Sequence, residues 1–282
     1  MTARSPLFGR RIHFSGSIAT DPAIATAEDV KQARDLVAAL TRELVALGAT
    51  FVLPVDDEKF RADGQPICFD WLIWQTVHDS LALRPAGALH PLVVAVEHHK
   101  TEDQIPAEFQ GLWNDLRSSD LIQIENVSHW NMNSKRMEAQ ARFGDILITI
   151  GGSEGVLFLA NLYHDDGKPV VPLNAKVTGP DLGARRLFSL GLASAQAGRL
   201  FQPKSLNAHS WINRINFTAR TPLSDQVRGI INLLEALERP RAFVVCLLNP
   251  DHPDFADVQN FFDTVVQPVV EDELGYRLVV VD

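Results

Sequence analysis

The run Asp145-Ile-Leu-Ile-Thr-Ile-Gly-Gly-Ser-Glu-Gly155 has the clearest chemical potential in this chain. An apolar strand, Asp145 to Ile150, ends at Gly151 and Gly152, and a helix runs from Ser153 to His164. Glycine lets a backbone approach a ligand closely. The first helical turn leaves N–H groups unpaired at the positive end of the helix dipole. Together they suit a phosphate, with Gly151, Gly152, Ser153, Glu154 and Gly155 as candidate contacts. A tight turn with no ligand would explain the same glycines. A second turn of the same kind, Ser15-Gly16-Ser17, ends the first strand and strengthens the binding reading with two hydroxyls suited to phosphate or ribose. Arg136, near the start of the helix leading into the Gly151 strand, is the preferred phosphate cation, against the alternative of a solvated charged face. Lys168 is expected to cap the preceding helix, away from the site. Trp130 is the candidate for stacking on a base, while Trp71, Trp74 and Trp113 read as core. Glu154 can hold a ribose hydroxyl or simply favour the helix dipole.

These groups need a scaffold that brings two strand ends together. Short apolar runs alternate with amphipathic stretches from Arg11 to Leu237. Strands are expected at 11–15, 50–55, 91–96, 121–127, 145–150 and 169–173. Helices are expected at 28–47, 66–83, 106–116, 134–143, 153–164, 181–192 and 222–237. Alternation of this kind implies βαβ units, hence an α/β fold with a mainly parallel Rossmann-like sheet and helices on both faces. Ligands of such sheets bind beyond the carboxyl ends of the strands. The loops after Phe14, Val55, Val96, Val127, Ile150 and Leu173 are therefore where chemistry should lie. Pro240 breaks the pattern. Beyond it a further βαβ unit (strand 241–248, helix 254–273, strand 276–281) gives a division into 1–238, a ligand-binding domain, and 239–282, the start of a second, truncated one.

Composition narrows the function. The 282 residues are 46% apolar, enough for a sizeable core. A formal charge of -9, from 35 acidic and 26 basic residues, argues against coating nucleic acid. One small phosphorylated ligand remains compatible with it. Cys68 and Cys246 suggest neither a disulfide framework nor a metal site, and read as buried thiols. The nine histidines show no metal-type spacing. His98, His99 and His129 fall in expected strand-end loops. No signal-peptide core or membrane-length apolar run is present, which leads to the expectation of a cytoplasmic protein with no membrane partner.

The segments Arg11-Ile-His-Phe-Ser-Gly-Ser17, Asp145 to Gly155 and Gly167-Lys-Pro-Val-Val-Pro172 resemble the SLOG superfamily. It contains the LOG phosphoribohydrolases, DprA, and sensor domains attached to sirtuin or TIR effectors in bacterial anti-phage defence. The resemblance is closest to the last group, the STALD domains. It implies a sensor for a nucleotide-derived second messenger such as a cyclic ADP-ribose isomer, with no other cofactor and no metal, working as a homo-oligomer. The tail is similar to the start of a TIR-like or deoxyribosyltransferase-like domain. The alternative is a LOG-like phosphoribohydrolase acting on nucleoside monophosphates. Against it, the LOG pattern Pro-Gly-Gly-x-Gly-Thr-x-x-Glu is broken. Ile150 and Ser153-Glu154-Gly155 replace its proline and threonine region, and an apolar residue stands where its glutamate would be. Glycosidic hydrolysis needs a carboxylate beside the bond.

Overall fold

The computed structural model describes residues 4–97, 102–127, 132–193, 212–218, 220–237, 241–245, 247, 249–273 and 276–280. Strands β1 (Arg11–Ser17), β2 (Thr50–Pro54), β3 (Val93–Glu97), β4 (Ile122–Asn126), β5 (Ile146–Gly151) and β6 (Val170–Leu173) form one six-stranded sheet, ordered β4-β3-β2-β1-β5-β6. Every pairing is parallel. This is the expected α/β Rossmann-like fold. The order changes direction between β1 and β5, so the loops after these two strands leave toward opposite sides and open a crevice between them. The β1–β5 register pairs Ser15 with Thr149 and Ser17 with Gly151, which puts the two glycine turns side by side.

The buried β-strands read as continuous apolar runs because both faces are covered. One face carries Ile12, Phe14, Phe51, Leu53, Ala95, Ile146 and Ile148. Against it pack α1 (Ala27–Ala46), α2 (Asp70–Asp79), α3 (Gln110–Ser118) and α7 (Leu223–Ala236). The other face carries Val52, Val94 and Leu147, under α4 (Met132–Phe143) and α5 (Glu154–Asp165). Helix α6 (Gly183–Ala193) closes the β6 edge, with Phe188 in the first cluster and Leu187 in the second. Helix α1 begins at a capping box, Thr26 with Asp29, and its C-terminus is followed by Gly48 at φ +80°.

One local expectation is corrected. The helix expected over 66–83 starts only at Asp70, because residues 66–68 return to bridge the strand ends: Ile18 N–H donates to Ile67 O (2.9 Å), and Ser17 bridges Cys68. Lys168 caps the helix before it as expected, but through its backbone. Its ammonium donates to the Ala141 and Arg142 carbonyls at the end of α4, while its backbone N–H meets Tyr163 O in α5. The tail forms a separate two-stranded parallel sheet, β7 (Arg241–Val244) with β8 (Arg277–Val280). Between them lies α8 (Phe255–Phe261), which loosens into π-type turns over Phe262–Val266 and Pro268–Glu273. Among the described residues, no helix is long and apolar enough to cross a membrane.

Candidate functional site

A cleft of about 280 Å³ opens over the carboxyl ends of β5, β1 and β2. Its lining includes Ser15, Gly16, Ser17, Gly152, Ser153, Gly155 and Arg136, seven of the sequence candidates. Gly151 sits just beneath. It is buried, and its backbone is packed against Ser17 and Val177 rather than facing the cleft. Glu154 is exposed and does not line the cleft. Trp130, His98, His99, His129 and Cys246 lie outside the described residues. A larger groove, about 500 Å³ between α1 and α7, is lined by Ala39, Leu223, Val227 and Ile231 among others, and lacks the strand-end position and the carboxyls of the first.

The glycines are required by contact. A Cβ on Gly16 would overlap the Ile150 carbonyl across the sheet. Gly152 adopts φ +75°, and a Cβ there would run into the Val156 side chain one helical turn on. Gly152 N–H is used internally, donating to Ser17 O at 2.7 Å, which locks the two turns together. Ser153 makes no side-chain cap, and with Gly155 it puts the uncapped start of α5 at the cleft wall.

The opposite wall was not foreseen. It consists of Asp56, Asp57, Lys59 and Cys68 from the loop after β2, and Asp70 at the start of α2. Two tryptophans hold that loop. Trp74 donates its indole N–H to Pro54 O and Trp71 to Asp56 O, each at 3.0 Å. Trp71 stacks on Phe109 and Trp74 meets Trp113 edge-on, so the anchors are themselves fixed in the core. Arg136 reaches across from α4 to Asp56 at 2.5 Å. The preferred phosphate cation is thus at the cleft, already paired with a carboxylate.

Electrostatics separates the carboxyls. Burial pushes Asp70 up to about 7, helped by the negative charge of Glu58 and opposed by Arg136. Glu58, beside it, is likewise raised by burial to about 7, and its Oε1 has no hydrogen-bond partner. Asp56 is paired with the Arg136 guanidinium. The Cys68 thiol is pushed up to about 12 by burial and by Asp70, which keeps it protonated and poorly nucleophilic. On the floor, burial lowers His13 to about 3, so its imidazole is neutral. Its Nδ1 lies 3.0 Å from the Tyr163 hydroxyl, which also reaches Gln140 O. Among the described residues no cluster of His, Cys, Asp or Glu is arranged to hold a metal ion.

Sequence reasoning named the loop after Val55 as a place for chemistry but passed over its Asp56-Asp57 pair, the one available signal. Nothing local marked Asp70. It reaches the cleft only because residues 60–69 fold back over the end of β1.

No curated protein matches the sequence. Among solved structures, the X-ray structure of TM1055, a Northeast Structural Genomics Consortium target, is similar with a TM-score of 0.40 and 18% identity, over 64% of this chain and 81% of that one. The family model described as ATP nucleosidase Cap17-like, N-terminal, matches residues 7–234, and it fits the SLOG-like resemblance carried by the three motifs. With its whole six-stranded sheet and both glycine turns inside that match, the chain belongs to the Cap17-like N-terminal family.

Proposed function

We propose that the strand-end cleft binds an adenine nucleoside 5′-phosphate, ATP first among them, and hydrolyses its N-glycosidic bond. The observation that carries this reading is Asp70. It is a carboxyl raised to about 7, in the same cleft as an uncapped glycine-helix N-terminus. A raised carboxyl with a second, arginine-paired carboxyl in one cleft matches the acid–base arrangement of glycosidic hydrolysis. The family's description as ATP nucleosidase-like points to the same chemistry.

In this scheme the α5 N-terminus and Ser15, Gly16 and Ser17 receive the phosphates, and Arg136 shifts part of its charge from Asp56 to them. Asp70, protonated, donates its proton to the purine ring as the C1′–N9 bond breaks and the electron pair moves onto the base. Water attacks C1′ from the other face, and its proton passes to Asp56. The products are free adenine and ribose 5′-triphosphate. The missing glutamate of the LOG motif counted against catalysis when a carboxyl was sought on the glycine helix; here carboxyls come from the loop after β2 and from α2.

The test is incubation with ATP, ADP, AMP, ADP-ribose and cyclic ADP-ribose, followed by chromatography for free base. Adenine release from ATP that disappears in Asp70→Asn supports the proposal. Tight binding of a cyclic ADP-ribose isomer without base release from any nucleotide would overturn it in favour of a second-messenger sensor for an attached anti-phage effector.

A further inference from the structure

The two ends of the cleft differ, and that fixes which way a nucleotide can lie. At β5 stands the positive end of the α5 dipole, and at β2 stand Asp56, paired with Arg136, and Asp57, Lys59 and Asp70. These ends are separated by β1, two strand spacings or roughly 10 Å in all. Phosphates find uncapped helix N–H groups at α5, so they belong there and the base at the β2 side. There the side chain that meets the base edge decides which base fits.

We propose that Asp70 reads the Hoogsteen edge of the base and selects a 6-aminopurine over a 6-oxopurine. A protonated carboxyl is one donor and one acceptor side by side. Adenine offers the complement, N7 as acceptor and the N6 amino group as donor, whereas guanine offers two acceptors, N7 and O6. The acid therefore makes two hydrogen bonds to adenine, and with guanine its carbonyl oxygen faces O6 unpaired. Burial of Asp70 beside Glu58 and Asp56 keeps the proton available at neutral pH. Asp57, on the adjacent loop, is left for a ribose hydroxyl. The inference rests on the reading that the cleft takes a purine nucleotide, but not on turnover.

The experiment is equilibrium binding by calorimetry with 2′-deoxy-2′-fluoro-ATP and 2′-deoxy-2′-fluoro-GTP, whose fluorine disfavours a cation at C1′ and so suppresses turnover. 7-Deaza-ATP, which lacks the N7 acceptor, is measured alongside. Wild type is expected to prefer the adenine analogue by about tenfold or more, in the range of one bidentate base contact, and to bind 7-deaza-ATP about tenfold more weakly than ATP's fluoro analogue. Asp70→Asn retains a donor and an acceptor and should keep the preference while losing base release. Asp70→Leu should bind both analogues equally. An adenine preference that survives Asp70→Leu, its loss in a folded Asp70→Asn, or unchanged binding of 7-deaza-ATP to wild type would overturn the inference. Absence of base release from wild type, with the preference intact, would instead overturn the hydrolase reading alone.

Discussion

Replacing Asp70 by asparagine should change how stability depends on pH, whether or not the cleft is catalytic. Asp70 is raised from an ordinary 3.8 to about 7, first by desolvation and then by Glu58, with Arg136 pulling the other way. A carboxyl whose native pKa is raised binds its proton more tightly folded than unfolded. Its contribution is therefore fully present below pH 3.8 and is lost as pH rises toward 7. Between pH 5 and pH 8 about two of the three units of that gap are traversed, which at about 1.4 kcal/mol per unit is roughly 2–3 kcal/mol. Asparagine is isosteric and never ionises. The variant should exceed wild type at every pH above 3.8, and its advantage should grow by about 2–3 kcal/mol between pH 5 and pH 8. Glu58 titrates in the same window and remains in both proteins, so wild type and variant alike retain some loss with rising pH. Urea denaturation of both proteins at pH 5, 6, 7 and 8 gives the curves directly. Parallel curves would mean that Asp70 ionises without cost, and the acid assigned to it in the cleft would go with it.

Other perturbations separate binding from folding. Gly155→Asp should abolish nucleotide binding in calorimetry with little loss of thermal stability, because its Cβ would meet only the flexible Met137 Cε at 3.4 Å while a carboxylate enters the anion site. Arg136→Ala should weaken triphosphate binding by about 1.5–3 kcal/mol, the range of a charge-assisted hydrogen bond, and Arg136→Lys should recover part of it; an unchanged dissociation constant would leave Arg136 as a strut for Asp56. Glu154→Gln, on an exposed side chain outside the cleft, should alter affinity by less than about 1 kcal/mol. Trp74→Phe should cost about 1–3 kcal/mol in urea denaturation, because Pro54 O loses its donor and the edge contact with Trp113 is weakened.

The elements themselves are written locally. Apolar runs such as Val93–Val96 and Ile146–Ile150, and the spacing of Val30, Leu36, Val37, Leu40 and Leu44, specify strand and helix through periods that neighbours in sequence express. The glycine turns are equally legible, since a strand must end and a helix begin within a few residues. Sequence alone therefore determined a parallel sheet and two glycine turns, at Gly16 and at Gly151–Gly152, that meet at one end of it. It did not determine what faces that site. Asp70 stands 16 residues beyond the end of β2, in the unremarkable apolar stretch Phe69-Asp70-Trp71; what brings it to the cleft is the folding back of 66–68 onto β1 and the tryptophan anchors beneath the loop. Its raised pKa follows from burial beside Glu58, a property of the assembled environment and not of the residue. Arg136 was legible as a cation near the site, but its pairing with Asp56, 80 positions away in the chain, was not. Periodicity reports which face of an element is buried; long-range pairing and desolvation exist only once the faces have met, and they decide which carboxyl in this cleft holds a proton.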